Sequence, residues 1–383
     1  MEAQLSLSMK NFRTKAMEVL PLFGVLSSST NQSTKASISK VESVEEFFDS
    51  EDGDYVKEIV LRVREQGYVA ADEFLYATAA MFLASKFLGL YGPPGAGKTV
   101  LAKLLANSVG RENNVSDQCF VNVGKGWSSS SDFLGYLNPF SDQFSFKNQF
   151  FSQFTEEHDR LEPMKTVIFD EASLSSPDIY LSDFFSNSER DVDQPFERMT
   201  LSGTDFYFPS TQSYLLTFNF DENTERLSRK FIDRVPILHC SYQKESERAT
   251  IREKRFTPFN SDLFAGMLAD KLLLAKTATQ DNYEYILNEL DSWRETLPNF
   301  DVSPRKKRHI LLFLSLLNDE MDIGSEYLRD FVASTFLLPQ LNGIGDEYKN
   351  SLEQLAEGSP EVTRNRIAMV IESGERFGQY SYI

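Results

Sequence analysis

The sequence predicts an α/β protein: a parallel five-stranded sheet with a β-hairpin insertion, followed by a C-terminal helical domain. Three observations carry that expectation. Short apolar runs alternate with stretches of helical period, as expected of strands buried on both faces with helices covering them. A glycine-rich turn separates the first such strand from the helix after it. Beyond about Gln243 the strand-like runs cease and helical patterns continue to the end.

Taken in order, Tyr55 to Ala84 has a helical pattern that runs into Phe87-Leu88-Gly89-Leu90-Tyr91, a buried strand. After the turn, Val100 to Ala106 is apolar at helical spacing. Further strands are expected at Phe120–Val123, at Thr166–Phe169, at Tyr214–Phe218 and at Val235–Leu238. Polar and aromatic residues alternate over Phe196–Leu201 and Asp205–Phe208, a hairpin with Gly203 in its turn. The division is an α/β core over 59–242 and a helical lid over 243–383. Residues 1–58 are Ser/Thr-rich and then acidic, too poor in apolar side chains to repay ordering; they read as an arm or linker, partly disordered, with room for one short docking helix between Lys10 and Val25.

Composition narrows the function. The 57 acidic against 39 basic side chains leave a formal net charge of −18, which disfavours a non-specific nucleic-acid binder that must neutralise phosphates. Cys119 and Cys240 cannot form a disulfide framework, and the three histidines are scattered, so neither a zinc site nor a Cys–His dyad is expected. No run approaches the ~20 apolar residues of a membrane span. The basic start ahead of Val19–Phe23 mimics a signal peptide, but Glu18 and Pro21 interrupt it. A cytoplasmic protein without a membrane role is expected.

The turn Gly92-Pro93-Pro94-Gly95-Ala96-Gly97-Lys98-Thr99 satisfies every constrained position of a phosphate-binding P-loop. Its glycines let backbone N–H groups turn toward phosphate oxygens, and the helix beginning near Val100 presents its N-terminus to the same anion. Lys98 would reach the β- and γ-phosphates, and the Thr99 hydroxyl would ligate Mg²⁺. Downstream, Val167-Ile168-Phe169 runs into Asp170 and Glu171. Asp170 would complete the Mg²⁺ shell at the carboxyl edge of the sheet, and Glu171 would polarise an attacking water as general base. Asn219 ends a strand expected beside that one; it would orient the water or simply cap the strand. Arg234 closes a short helix, Phe231-Ile232-Asp233-Arg234, where it would reach a neighbouring subunit's γ-phosphate or merely pair with Asp233; Arg226 and Arg229 compete for the role. Ser303-Pro304-Arg305-Lys306-Lys307-Arg308-His309 reads as a helix start with Ser303 as N-cap, directing Arg305 at the nucleotide from the lid. A nucleic-acid patch and a solvated helix face are its alternatives.

With these elements in this order, the chain resembles AAA+ ATPases, and within them the McrB-like and MoxR-like branch, over roughly residues 70–383. Gly126–Pro139, Phe169–Leu174, Leu216–Glu222 and Leu227–Arg234 are similar to that branch's segments, and Leu337-Leu338-Pro339-Gln340-Leu341 resembles part of a McrB-like lid. The resemblance implies ATP or GTP with Mg²⁺, self-association into a ring, usually hexameric, Arg234 acting in trans, and a lid sensor at Arg305. It further implies a separately encoded nuclease partner of the McrC kind in antiviral defence or restriction, with DNA contact indirect or local to the pore. McrB carries Met-Asn-Thr-x-Asp after its sensor strand; here Phe220 and Glu222 depart from it, and ATP is expected over GTP. A MoxR-like chaperone and a nucleotide-gated assembly scaffold are the other functions this pattern allows.

Overall fold

The structure, a computed structural model, describes residues 54–110, 117–157, 162–187, 189, 196–201, 203–219, 227–241, 256, 259, 261–277, 283–317, 321 and 323–382. The expected arm therefore lies outside the described residues except for 54–58, and so do Phe220, Asp221, Glu222 and Arg226. Residues Glu51–Ile383 make one compact unit.

Helices α1 (Asp54–Glu65) and α2 (Asp72–Ala84) lead into β1 (Phe87–Gly92), which is buried along its whole length. Helix α3 (Lys98–Val109) follows the glycine turn, and β2 is Gln118–Asn122. An antiparallel hairpin, β3 (Gly135–Asn138) and β4 (Gln143–Phe146), precedes β5 (Thr166–Asp170). A short helix α4 (Pro177–Tyr180) leads to the second hairpin, β6 (Phe196–Leu201) and β7 (Thr204–Pro209), and then to β8 (Ser213–Asn219). Helix α5 (Arg229–Arg234) connects to β9 (Ile237–His239).

The remainder is helical: α6 (Ser261–Thr277), α7 (Glu284–Thr296), α8 (Pro304–Ser315), α9 (Ser325–Val332), then β10 (Asn342–Gly343), α10 (Gly345–Gly358), α11 (Glu361–Phe377) and β11 (Tyr380–Ser381). As expected, Ser303 caps α8, its hydroxyl accepting from Lys306 N at 3.2 Å with Pro304 in the first turn. A π-helical turn, Ala333–Leu337, follows α9. Among the described residues no helix is long and apolar enough to cross a membrane.

The five-stranded sheet has the order β2-β5-β8-β1-β9, every pairing parallel. Strand period divides its side chains into two unlike faces. Leu88, Leu90, Ile168, Leu215 and Leu238 join an aliphatic core shared with α2, α3 and the C-terminal helices. Phe87, Tyr91, Phe169, Tyr214, Phe218 and Ile237 point the other way, into an aromatic core. That second face is not covered by long helices, as the sequence suggested. Single turns and the two hairpins cover it, with Phe133, Phe151, Phe184 and Phe206 doing the filling; wide flat rings make up the area short elements cannot supply. The last strand also begins later than expected, because Val235 caps α5 by donating to Phe231 O at 2.9 Å.

Candidate active site

The loop from Gly92 to Thr99 leaves β1 at the carboxyl edge of the sheet, where open α/β sheets place ligands. Gly92 pairs in register with Asn219 and lies against the end of β9: a Cβ at Gly92 would sit 2.1 Å from Cys240 O. Only glycine fits there. Gly97 takes φ 81°, the left-handed conformation that turns the chain into α3, and its carbonyl accepts from Leu101 N at 2.8 Å. Within the loop Ala96 N donates to Pro93 O at 3.2 Å; Pro94 and Gly95 form the bend, and Val100 lies in the first turn of α3. The unbonded N–H groups at that helix start make a site for an anion.

Lys98 is buried, and its ammonium donates to Gly92 O at 2.9 Å and to Pro93 O at 2.8 Å. An ammonium has three donors, so one is left for a ligand. Burial lowers the Lys98 pKa, with Cys240 and Asp170 opposing the shift.

The Thr99 hydroxyl donates to Asp170 Oδ1 at 2.7 Å, joining the loop to the end of β5. The same oxygen accepts from Thr217 Oγ1 at 2.7 Å. Thr217 in turn accepts the backbone N–H of Glu171 at 3.0 Å. One hydroxyl in the middle of β8 thus orients one carboxylate and the backbone of the next. Glu171 adopts φ 55°, ψ 43°, a left-handed conformation unfavourable to any side chain, and projects into solvent. Asn219 stands two residues beyond Thr217, on the same face of β8.

Residues 88–172, from β1 through the loop to Asp170 and Glu171, match the model of the ATPase family associated with various cellular activities (AAA). The match supports an AAA+ ATPase. Among curated proteins none matches the chain. AAA ATPases bind and hydrolyse nucleotide, and the structure brings Gly92–Val100, Asp170, Glu171 and Asn219 to one edge of the sheet.

Arg234 and Arg305 have partners of their own. Arg234 Nη1 donates to Lys230 O at 3.0 Å, and the Asp233 carboxylate that would have paired with it is 3.6 Å from Arg305. Arg305 is also held by Glu189 at 2.8 Å, with Arg308 on the same carboxylate. Arg305 thus meets two carboxylates, those of Glu189 and Asp233. Lys306 and His309 of the basic run are also engaged: Lys306 is buried and donates to Phe336 O at 3.3 Å, and His309 is 2.8 Å from Ser85. Arg229 reaches Asn342 O at 3.5 Å.

Two features escaped the sequence. Thr217 left one trace, a hydroxyl inside an apolar strand. Arg366 and His239, in hydrogen-bond contact at 3.2 Å, are 127 positions apart and left none.

Proposed function

We propose that this chain is a Mg²⁺-dependent nucleoside-triphosphate hydrolase, with ATP favoured over GTP, working as the ring-forming motor subunit for a separately encoded effector. The observation that carries the catalytic part is the hydroxyl–carboxylate cluster of Thr99, Asp170 and Thr217 beside the phosphate loop. Thr99 and Asp170 offer hard oxygen donors at a helix N-terminus, the donor set that suits Mg²⁺ held together with phosphate oxygens. The ion would neutralise charge on the β- and γ-phosphates. Lys98 binds the phosphates with its remaining N–H, Glu171 takes the proton of the attacking water, and Asn219 orients that water.

Arg234, without a carboxylate partner among the described residues, is assigned to a neighbouring subunit's γ-phosphate. Arg305, 3.6 Å from the Asp233 carboxylate, is assigned as the lid residue that faces the nucleotide. In this reading 59–242 is the motor core and 243–383 its lid. The preference for ATP rests on the departures at Phe220 and Glu222 from the McrB signature. The effector we favour is a McrC-like nuclease in antiviral defence or restriction, supported by the sequence resemblance of the sensor, finger and lid segments. Hydrolysis assays with ATP and GTP on the purified chain test the activity, and Lys98→Ala should abolish nucleotide binding. Equal turnover of the two nucleotides would overturn the preference. Affinity capture of the tagged chain that recovers a von Willebrand A-type protein instead of a nuclease would favour the MoxR-like chaperone.

A further inference from the structure

Tyr91 carries the last side chain of β1 before the phosphate loop, and it is buried. Two rings flank it. His239, in register with it on β9, stands edge-on at 6.1 Å between ring centroids, and Tyr382 lies at 6.4 Å. Arg366 of α11 joins these two: its Nη2 donates to His239 Nδ1 at 3.2 Å, and it also hydrogen-bonds the Tyr382 side chain. The four residues form a closed circuit of contacts at the end of β1. Among the described residues Tyr382 alone packs against both cores, the aliphatic and the aromatic.

A side chain can fix its neighbour only if it is itself held. Helix α11 stops at Gly378, whose N–H donates to Gly374 O at 2.7 Å. The chain then folds back on the helix, laying the Tyr380 ring on Gly374, where a Cβ would collide with it. Strand β11 pairs with β10, a ladder of two residues, too short to be stable alone. Side chains reinforce it: Gln379 Nε2 donates to Asn342 Oδ1 at 2.8 Å, and Asn342 N donates to the Tyr348 hydroxyl at 3.1 Å. Tyr382 N donates to Leu341 O at 3.4 Å, which carries the pairing up to the residue that meets Tyr91.

What Tyr91 feels, the loop feels next. Tyr91 O accepts from Cys240 N at 2.7 Å, and the following carbonyl, Gly92 O, accepts from the Lys98 ammonium at 2.9 Å. Cys240 O closes on Gly92, so the end of β1 has no slack on that side. Close-packed interiors pass a displacement on rather than absorb it. We propose that Tyr382 is a positioning residue for the phosphate loop: its ring, held on Tyr91 by the β10–β11 pair, sets the Gly92 carbonyl and through it the Lys98 ammonium. It acts through Tyr91 and Gly92, not on the nucleotide. The inference rests on the reading of that loop as a nucleotide site. The relation is reciprocal: if the packing of Tyr382 favours bound nucleotide, bound nucleotide favours the packing of Tyr382.

Calorimetric titration of the full chain with the Mg²⁺ complex of a non-hydrolysable ATP analogue, together with ATP turnover at saturation, tests this. Tyr382→Ala should weaken binding about ten-fold or more, since a misplacement of about 1 Å costs up to about a hundred-fold. Turnover at saturation should change little, because Asp170 and Glu171 belong to β5 and the turn after it. Tyr382→Phe, which keeps the ring, should restore most of the affinity. A merely structural residue would instead lower the folded fraction, and with it turnover and the number of binding sites, at unchanged affinity. Wild-type affinity in Tyr382→Ala, beside lost binding in Lys98→Ala, would leave the nucleotide site standing and overturn the role of Tyr382. Wild-type affinity in Lys98→Ala would overturn the nucleotide site, and the proposal with it. Should Tyr382→Ala fail to fold, hydrogen exchange on the wild-type chain decides: amides of residues 379–382 should exchange more slowly with the analogue bound, and unchanged exchange there refutes the proposal.

Discussion

The hydroxyl of Thr217 donates to Asp170 Oδ1 at 2.7 Å while its oxygen accepts the N–H of Glu171 at 3.0 Å. Its donor and one of its lone pairs are thereby committed to two consecutive residues of the adjacent strand. The position of both carboxylate-bearing residues depends on a side chain that is itself buried.

Thr217→Val keeps the shape of the buried side chain and removes both hydrogen bonds. Hydrolysis should fall by about ten-fold or more, with a higher Mg²⁺ requirement, since a charge-assisted bond at Asp170 is lost. Thr217→Ser should retain most of the activity. Mg²⁺ titrations of turnover by the three proteins would check this, and an unaltered Mg²⁺ requirement in the valine variant would remove Thr217 from the machinery.

Glu171 joins chemistry to strain. Glu171→Gln should bind nucleotide and fail to turn it over, because an amide cannot accept the proton of the attacking water. Glu171→Gly should be equally inactive yet more stable than Glu171→Ala by about 1 kcal/mol, as glycine adopts φ 55° without a steric penalty. Denaturant unfolding of the glycine and alanine variants measures that difference; equal midpoints would show that the left-handed conformation stores nothing.

Arg234→Ala should leave nucleotide affinity unchanged and lower turnover under assembling conditions, by about 10³-fold or more if the residue acts as a finger. Turnover should be compared at concentrations above and below self-association. A variant as active as wild type above that threshold would pass the role to Arg226 or Arg229.

His239 makes stability depend on pH. Burial, assisted by the charges of Arg366 and Lys98, lowers its pKa from 6.5 to about 4. Between these values the unfolded chain holds a proton that the folded chain does not. Stability is therefore highest above pH 6.5 and is lost as pH falls toward 4. Carboxylates titrate near the lower end, so the comparison must be with His239→Gln, whose decline from pH 7 to 5 should be shallower. Parallel curves for the two proteins would show that His239 is not held neutral.

Much of this site could be read along the chain because its parts are local. The loop Gly92–Thr99, the strand running into Asp170 and Glu171, and the cap at Ser303 each depend on neighbours within a few positions. The hairpin β6–β7 announced itself by alternation, whereas β3–β4 did not: its strands are four residues each and largely exposed, too short for a period to emerge. Arg305 shows where local reading stops. Its place at the head of α8 follows from sequence, but its partners are Glu189 and Asp233, and only packing could select them.

By itself the sequence determined the parallel α/β sheet and the glycine-rich loop between its first strand and the next helix, because backbone geometry and strand period act over short range. The tertiary structure decided which distant groups meet that loop. It set Thr217 against Asp170, gave Asp233 to Arg305 rather than Arg234, and laid Arg366 on His239 at the loop's edge. Those contacts join residues far apart in the chain, so they are fixed by the order of strands in the sheet and by the packing of the last helix.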